Sequence, residues 1–235
     1  MSKKTNRRQR ASSDIPALLF DLDGTLVDTV YEHVLAWSEA LQDEGIHYPS
    51  WKIHRRVGMG GEIFVKALLR EIGTTAIESK VKRLGEIKKK IFMGWISKVQ
   101  ILPGARELLK RLSQLGVPWI IATSGGKDEV APLLKLLSLP SDAPLVTGDD
   151  VKKAKPEPDV FLAAAERLGV AVSDCIIVGD SVWDLLAARR AKGLGVGLLC
   201  GGYGRDELDR AGAYRVYKDP AELLGHLEEL GIYTD

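Results

Sequence analysis

The first apolar run of the chain ends in two acids, in the segment Phe20-Asp21-Leu22-Asp23-Gly24-Thr25. Carboxylates at i and i+2 on a strand line one face, so at the end of the strand, where the chain turns, both can approach one ligand. Gly24 permits that turn. A plainer reading is a helix N-cap, with Thr25 or Asp28 capping and the acids solvated. The apolar run argues for function, because an unpaired carboxylate is costly to bury. Gly179-Asp180-Ser181-x-x-Asp184 closes a second, very apolar run with two more carboxylates, four residues apart and on one face if they open a helix. Magnesium takes oxygen ligands, keeps several waters and is usually held by one or two protein carboxylates. Asp21 and Asp180 suit direct ligation, with Asp184 acting through water or holding the ligands in place.

Thr123 directly follows the run Val117 to Ala122, and Ser124-Gly125-Gly126 comes next. Its hydroxyl and the amides of this turn can donate to phosphate oxygens, with an N-cap as the alternative. Lys155 stands in Lys-Pro-Glu-Pro, where Pro156 and Pro158 fix the backbone ahead of a helix expected to start near Asp159. Taken alone it is a surface charge, like Lys152 and Lys153.

These groups sit at the ends of apolar runs: Ala17 to Phe20, Val117 to Ala122, Leu145 to Val146, Cys175 to Val178, and Gly195 to Cys200. Between them the apolar spacing is helical, over Ala105 to Leu115, Val130 to Leu137, Val160 to Leu168 and Leu185 to Ala191. Alternating strands and helices predict an α/β fold with a doubly wound parallel sheet. Ligands of such sheets bind beyond the carboxyl ends of the strands, so the polar groups should converge on one crevice. From about Thr29 to Val99 only helical periodicity is seen, and Leu102-Pro103-Gly104 marks the return to the core.

With 235 residues, 45% of them hydrophobic, the chain can bury a full core. Lysine plus arginine (33) nearly balances aspartate plus glutamate (32), so no global charge points to a nucleic-acid or membrane partner. Residues 1–14 carry Lys3, Lys4, Arg7, Arg8 and Arg10 before the first acid and read as a disordered basic tail. Cys175 and Cys200 lie in strand-like runs and read as small buried hydrophobes, and the cytoplasm is the expected compartment.

Asp21-Leu22-Asp23-Gly24-Thr25, Thr123 after its strand, Lys155 before Pro156, and Gly179-Asp180 with Asp184 occur in that order. Together they resemble the four motifs of the haloacid dehalogenase superfamily, in its branch of phosphoglycolate phosphatases and β-phosphoglucomutases. The resemblance covers the chain from Ile15 onward. It implies a Rossmann-like core at 15–28 and 100–235, with an all-helical cap inserted at 29–99. It implies that Asp21 is the nucleophile and forms an aspartyl-phosphate, that Asp23 is general acid and then base, and that Lys155 offsets charge. Thr123, Ser124 and Gly125 would cradle the phosphate, and Asp21, Asp23, Asp180 and Asp184 would make up the Mg2+ site.

In such a protein the cap selects the organic part of the substrate. His33 and Arg56 are the expected cap contacts, Trp37 reads as helix packing, and Gly58-Met59-Gly60-Gly61 as a loop approaching the crevice. The expected activity is hydrolysis of a small sugar or carboxylic-acid phosphate by a monomer or homodimer, with no nucleic-acid or membrane partner. A sugar phosphomutase is the alternative, since those enzymes resemble this chain in a histidine about a dozen residues after the nucleophile. They also carry a cap-loop arginine where Gly60-Gly61 stands here. Asp23 argues against carbon-halogen cleavage, which needs no second carboxylate.

Overall fold

The computed structural model describes residues 15–233, so the basic tail lies outside the described residues. Strand β1 (Ala17–Phe20) is buried along its whole length. It pairs in parallel with β4 (Trp119–Ala122) on one side and β6 (Cys175–Gly179) on the other. With β5 (Leu145–Val146), β7 (Leu194–Leu198) and β8 (Arg215–Tyr217), the sheet has the order β5-β4-β1-β6-β7-β8, every pairing parallel. A sheet buried on both faces needs continuous apolar strands, which is what β1 and β6 provide.

The period of two along β1 sorts its side chains between two cores. Leu18 and Phe20 join Ile121 and Val178 against α5 (Ala105–Gln114) and α6 (Lys127–Leu136). Ala17 and Leu19 join Ile120 and Ile177 against α7 (Asp159–Leu168) and α8 (Val182–Ala191). Helices α9 (Arg205–Ala211) and α10 (Pro220–Gly225) complete the core near β8. The chain leaves β1 toward β4 on one side and later returns to β6 on the other. The crevice beyond β1, β4 and β6 is therefore the switch point where ligands of such sheets bind.

Between β2 (Val27–Asp28) and β3 (Gln100–Ile101) lie four α-helices: α1 (Val30–Asp43), α2 (Ser50–His54), α3 (Gly61–Glu71) and α4 (Glu78–Trp95). They share an apolar core of their own, including Val34, Leu41, Ile53, Phe64, Leu68 and Leu84. The antiparallel β2–β3 ribbon pairs the two ends of this helical layer.

Three local readings change. The run expected to begin at Val117 pairs only from Trp119, since Pro118 has no N–H for the ladder. Cys200 is half-buried in a 3₁₀ turn, because β7 ends at Leu198. Helix α6 begins at Lys127, three residues before the first apolar position of its repeat.

Candidate active site

At the end of β1 the Asp21 N–H still donates to Val178 O of β6 at 2.9 Å, and its carboxylate turns into the crevice. Lys155 Nζ lies 2.7 Å from Asp21 Oδ1 and 2.7 Å from Asp184 Oδ1, fully buried and 4.9 Å above the Phe161 ring. The position that sequence alone would leave as a surface charge is thus an interior cation. Asp180 closes β6, and Thr25 Oγ1 donates to its Oδ1 at 2.9 Å. Asp184 sits in the first turn of α8, where its Oδ2 accepts the Ser181 N–H at 3.1 Å and the Ser181 hydroxyl. Gly24, at φ 77°, lets the chain turn beside this group; a Cβ there would lie 2.5 Å from Asp180 Oδ2.

One oxygen from each of Asp21, Asp180 and Asp184 falls within 4.8 Å of the others, and all three residues are buried. Three buried carboxylates face one ammonium, so the group carries an excess of negative charge that the interior disfavours. The carboxyl pKa values shift accordingly. Burial raises Asp21 to about 7, the carboxylates of Asp184 and Asp23 add to this, and Lys155 opposes it. Burial likewise raises Asp180 well above the carboxylate range, with Asp184 and Asp21 adding to it. For Lys155 burial alone would lower the ammonium, but the Asp184 and Asp21 charges outweigh it and raise it. Three all-oxygen donors set against one ammonium fit a hard divalent cation such as Mg2+.

The Asp23 side chain points elsewhere. Its Oδ1 accepts the Thr29 hydroxyl at 2.7 Å and lies 3.0 Å from His33 Nε2, and its Oδ2 is 3.5 Å from Thr123 Oγ1. It is therefore not in the carboxylate cluster, although it was expected within the metal set. Burial raises its pKa, but His33, Thr29 and Lys88 outweigh burial and bring it down to about 2. Asp23 thus lies apart from the cluster, held by an imidazole 10 residues further on that stacks on Phe92 at 4.1 Å.

Thr123 is buried at the end of β4, and its Oγ1 accepts the Gly125 N–H at 3.0 Å. Ser124 Oγ is buried with no hydrogen-bond partner among the described residues. An unpaired buried hydroxyl beside Asp23 and Thr123 is suited to a ligand oxygen. Asp21, Asp23 and Thr123 open into a cavity of about 350 Å³ between the core and the helical layer.

The cap-side expectations divide. His33 reaches the crevice, and Trp37 both packs on Phe64 at 4.7 Å and lines the cavity. Arg56 is in the wall, but its guanidinium is held by Glu71 at 2.6 Å and by the Tyr48 hydroxyl. Arg55 pairs with Glu207 and stacks on Tyr203. The glycine loop does approach the core: the Gly60 N–H donates to Lys155 O at 3.3 Å, and a Cβ on Gly60 would lie 2.2 Å from that of Ala154. Sequence reasoning passed over Thr29 and the Lys88–Glu129 pair, whose partners are 41 positions apart. Lys88 and Phe92 do share a helix face at i and i+4, the one local hint.

A family model for haloacid dehalogenase-like hydrolases matches residues 15–192. The chain belongs to that family. Among curated proteins it is 33% identical to hexitol phosphatase A of Escherichia coli over 173 residues, covering 74% of this chain and 78% of the relative. It is 32% identical to a phosphoglycolate phosphatase of Xanthomonas campestris over 189 residues, 79% of this chain and 83% of the relative. Among solved structures, a hydrolase from Pseudomonas syringae superposes with a TM-score of 0.90 at 48% identity, over 92% of this chain and 99% of that one. A Bacteroides vulgatus protein described as a β-phosphoglucomutase superposes with a TM-score of 0.84 at 22% identity, over 95% of this chain and 92% of that one, which is a likeness of fold.

Proposed function

We propose that this hydrolase is a Mg2+-dependent phosphatase that hydrolyses a small-metabolite phosphomonoester through an aspartyl-phosphate on Asp21. The observation that carries this is the buried Asp21, Asp180 and Asp184 cluster paired with Lys155, with Asp23 held apart by His33 and Thr29. Phosphatases among the curated relatives support it.

In this reading the helical layer of α1 to α4 is a cap over the crevice, and Asp21, Asp180 and Asp184 hold the ion. Bound there, magnesium supplies positive charge that lessens repulsion between an anionic nucleophile and an anionic ester. Lys155 fixes the Asp21 carboxylate and adds its own charge beside the phosphoryl oxygens. Thr123, the free Ser124 hydroxyl and the Gly125 turn orient those oxygens. An Asp21 oxygen attacks phosphorus as the ester P–O bond breaks, and the departing alcohol oxygen takes a proton from Asp23. A water then attacks the phosphoryl group and gives its proton to Asp23, the bond to Asp21 breaks, and phosphate leaves. Asp23 is ionised in the free protein and takes up one proton from solvent as the phosphate binds, because the like charge of the phosphate raises its pKa. That proton goes to the alcohol and is regained from the attacking water.

The expected outcome is Mg2+-dependent release of phosphate from an aryl phosphate, reduced on the order of 10³-fold or more by Asp21→Asn. Activity retained by that variant, or undiminished in chelator, refutes the mechanism.

The His33–Asp23 contact favours a second reading, a sugar phosphomutase of the β-phosphoglucomutase type. It ranks lower because the loop carries Gly60-Gly61 and the nearby Arg55 and Arg56 are already paired.

A further inference from the structure

The cavity beyond Asp23 has an uneven charge inventory. Five carboxylates, three cations and His33 line it; Lys88 and Arg56 are already engaged, and His33 faces Asp23. Lys88 Nζ of α4 lies 2.8 Å from Glu129 Oε1 of α6, with side chains 11% and 16% exposed. The ammonium also sits over the Phe92 ring at 4.9 Å, so its free faces meet an aromatic wall. Arg56 is turned onto Glu71 and Tyr48. Lys82 stands at the rim, 77% exposed and 3.9 Å from Glu86. Glu62 and Glu78 add carboxylates on the cap side, and both face Lys66. The rest of this wall is apolar, from Trp37, Ile53, Met59, Phe64 and Leu133.

A second anion on the substrate would have to displace Glu129 from Lys88 or enter among carboxylates, with only the exposed Lys82 at the rim loosely held. Either leaves a partly buried charge poorly paired. A hydroxyl group meets no such obstacle, because the carboxylate oxygens accept from it and the rings cover its carbon skeleton. We infer that the substrate is the phosphate ester of a neutral, hydroxyl-bearing alcohol, and that the Lys88–Glu129 pair rejects esters whose alcohol part carries a carboxylate or second phosphate. This rests on the phosphatase reading and narrows it: of the sugar and carboxylic-acid phosphates expected from sequence, the neutral class fits.

Glycerol phosphate and phosphoglycerate test this directly, because they match in size and differ in one group, a hydroxymethyl in place of a carboxylate. Both are assayed with the full chain and Mg2+, as substrates and as competitors of aryl phosphate turnover. The expected result is a preference for glycerol phosphate of about tenfold or more, in kcat/KM or in inhibition constant. Glu129→Gln frees Lys88 and narrows that ratio, and Lys88→Gln leaves Glu129 unpaired and widens it. Equal or better use of phosphoglycerate by the unaltered protein overturns the inference without reference to either variant, and a ratio that Glu129→Gln leaves unchanged removes the pair's role. Absence of aryl phosphate turnover would instead overturn the phosphatase reading, and this inference with it.

Discussion

Thr25 shows how a small residue can govern a charged one. Its hydroxyl donates to Asp180 across 155 positions of sequence, fixing which way a buried carboxylate points. Partners behind metal-binding carboxylates commonly account for a 10- to 100-fold change in metal affinity. Thr25→Val keeps the shape and removes the donor, so the Mg2+ concentration for half-maximal activity should rise about 10-fold or more. Titrating activity with Mg2+ checks this, and an unchanged midpoint would separate Thr25 from the ion. Sequence shows Thr25 as a cap candidate and as the last residue of the first motif, because nothing local hints at a partner 155 positions away. Asp21 and Asp180 are easier to see, since each ends an apolar run, whereas Lys155 stands out only through its place in the order of motifs. Lys88 and Glu129 are invisible for the opposite reason: each is one charge among many on an amphipathic helix until the fold joins them.

Elements follow the same division. Strands β1 and β6 are apolar on both faces and stand out from the helices around them. Strands β2 and β3 have two residues each, too few for any periodicity, and β8 has three, beginning with an exposed arginine. The link from β5 to α6 has its own fastener. Asp150 Oδ2 accepts both the N–H and the hydroxyl of Thr147, and Oδ1 meets Lys127 Nζ at 2.9 Å. The Lys127 contact and then the Thr147 donors hold Asp150 down at about 2, against 3.8 for the free side chain. A depressed carboxylate stabilises the fold above its unfolded pKa, and that contribution is lost as pH falls toward the folded value. Asp150→Asn should therefore lower the urea midpoint near neutral pH, with the gap to the unaltered protein closing between pH about 4 and about 2. A gap that persisted at the acid end would assign the loss to shape instead of charge.

The whole molecule is a sheet with a helical layer set over one end, and the cavity lies at their junction. The layer has a separate apolar core and joins the sheet through the β2–β3 ribbon, two pairs of residues long. The sheet centre is bound differently. β1 is hydrogen-bonded on both sides, and the Asp21 amide is itself one of those bonds. Amides of this kind exchange with solvent only when the protein opens extensively, and short peripheral helices open earlier. Deuterium should thus enter the Ala17–Asp21 segment last and the five-residue α2 much sooner, as read by mass spectrometry of peptides. Equal rates would mean that layer and sheet open as one unit. The order matters for ageing and damage: under the proposed phosphatase reading, partial unfolding would blur the choice of alcohol while Asp21, hung from the last segment to let go, kept its place.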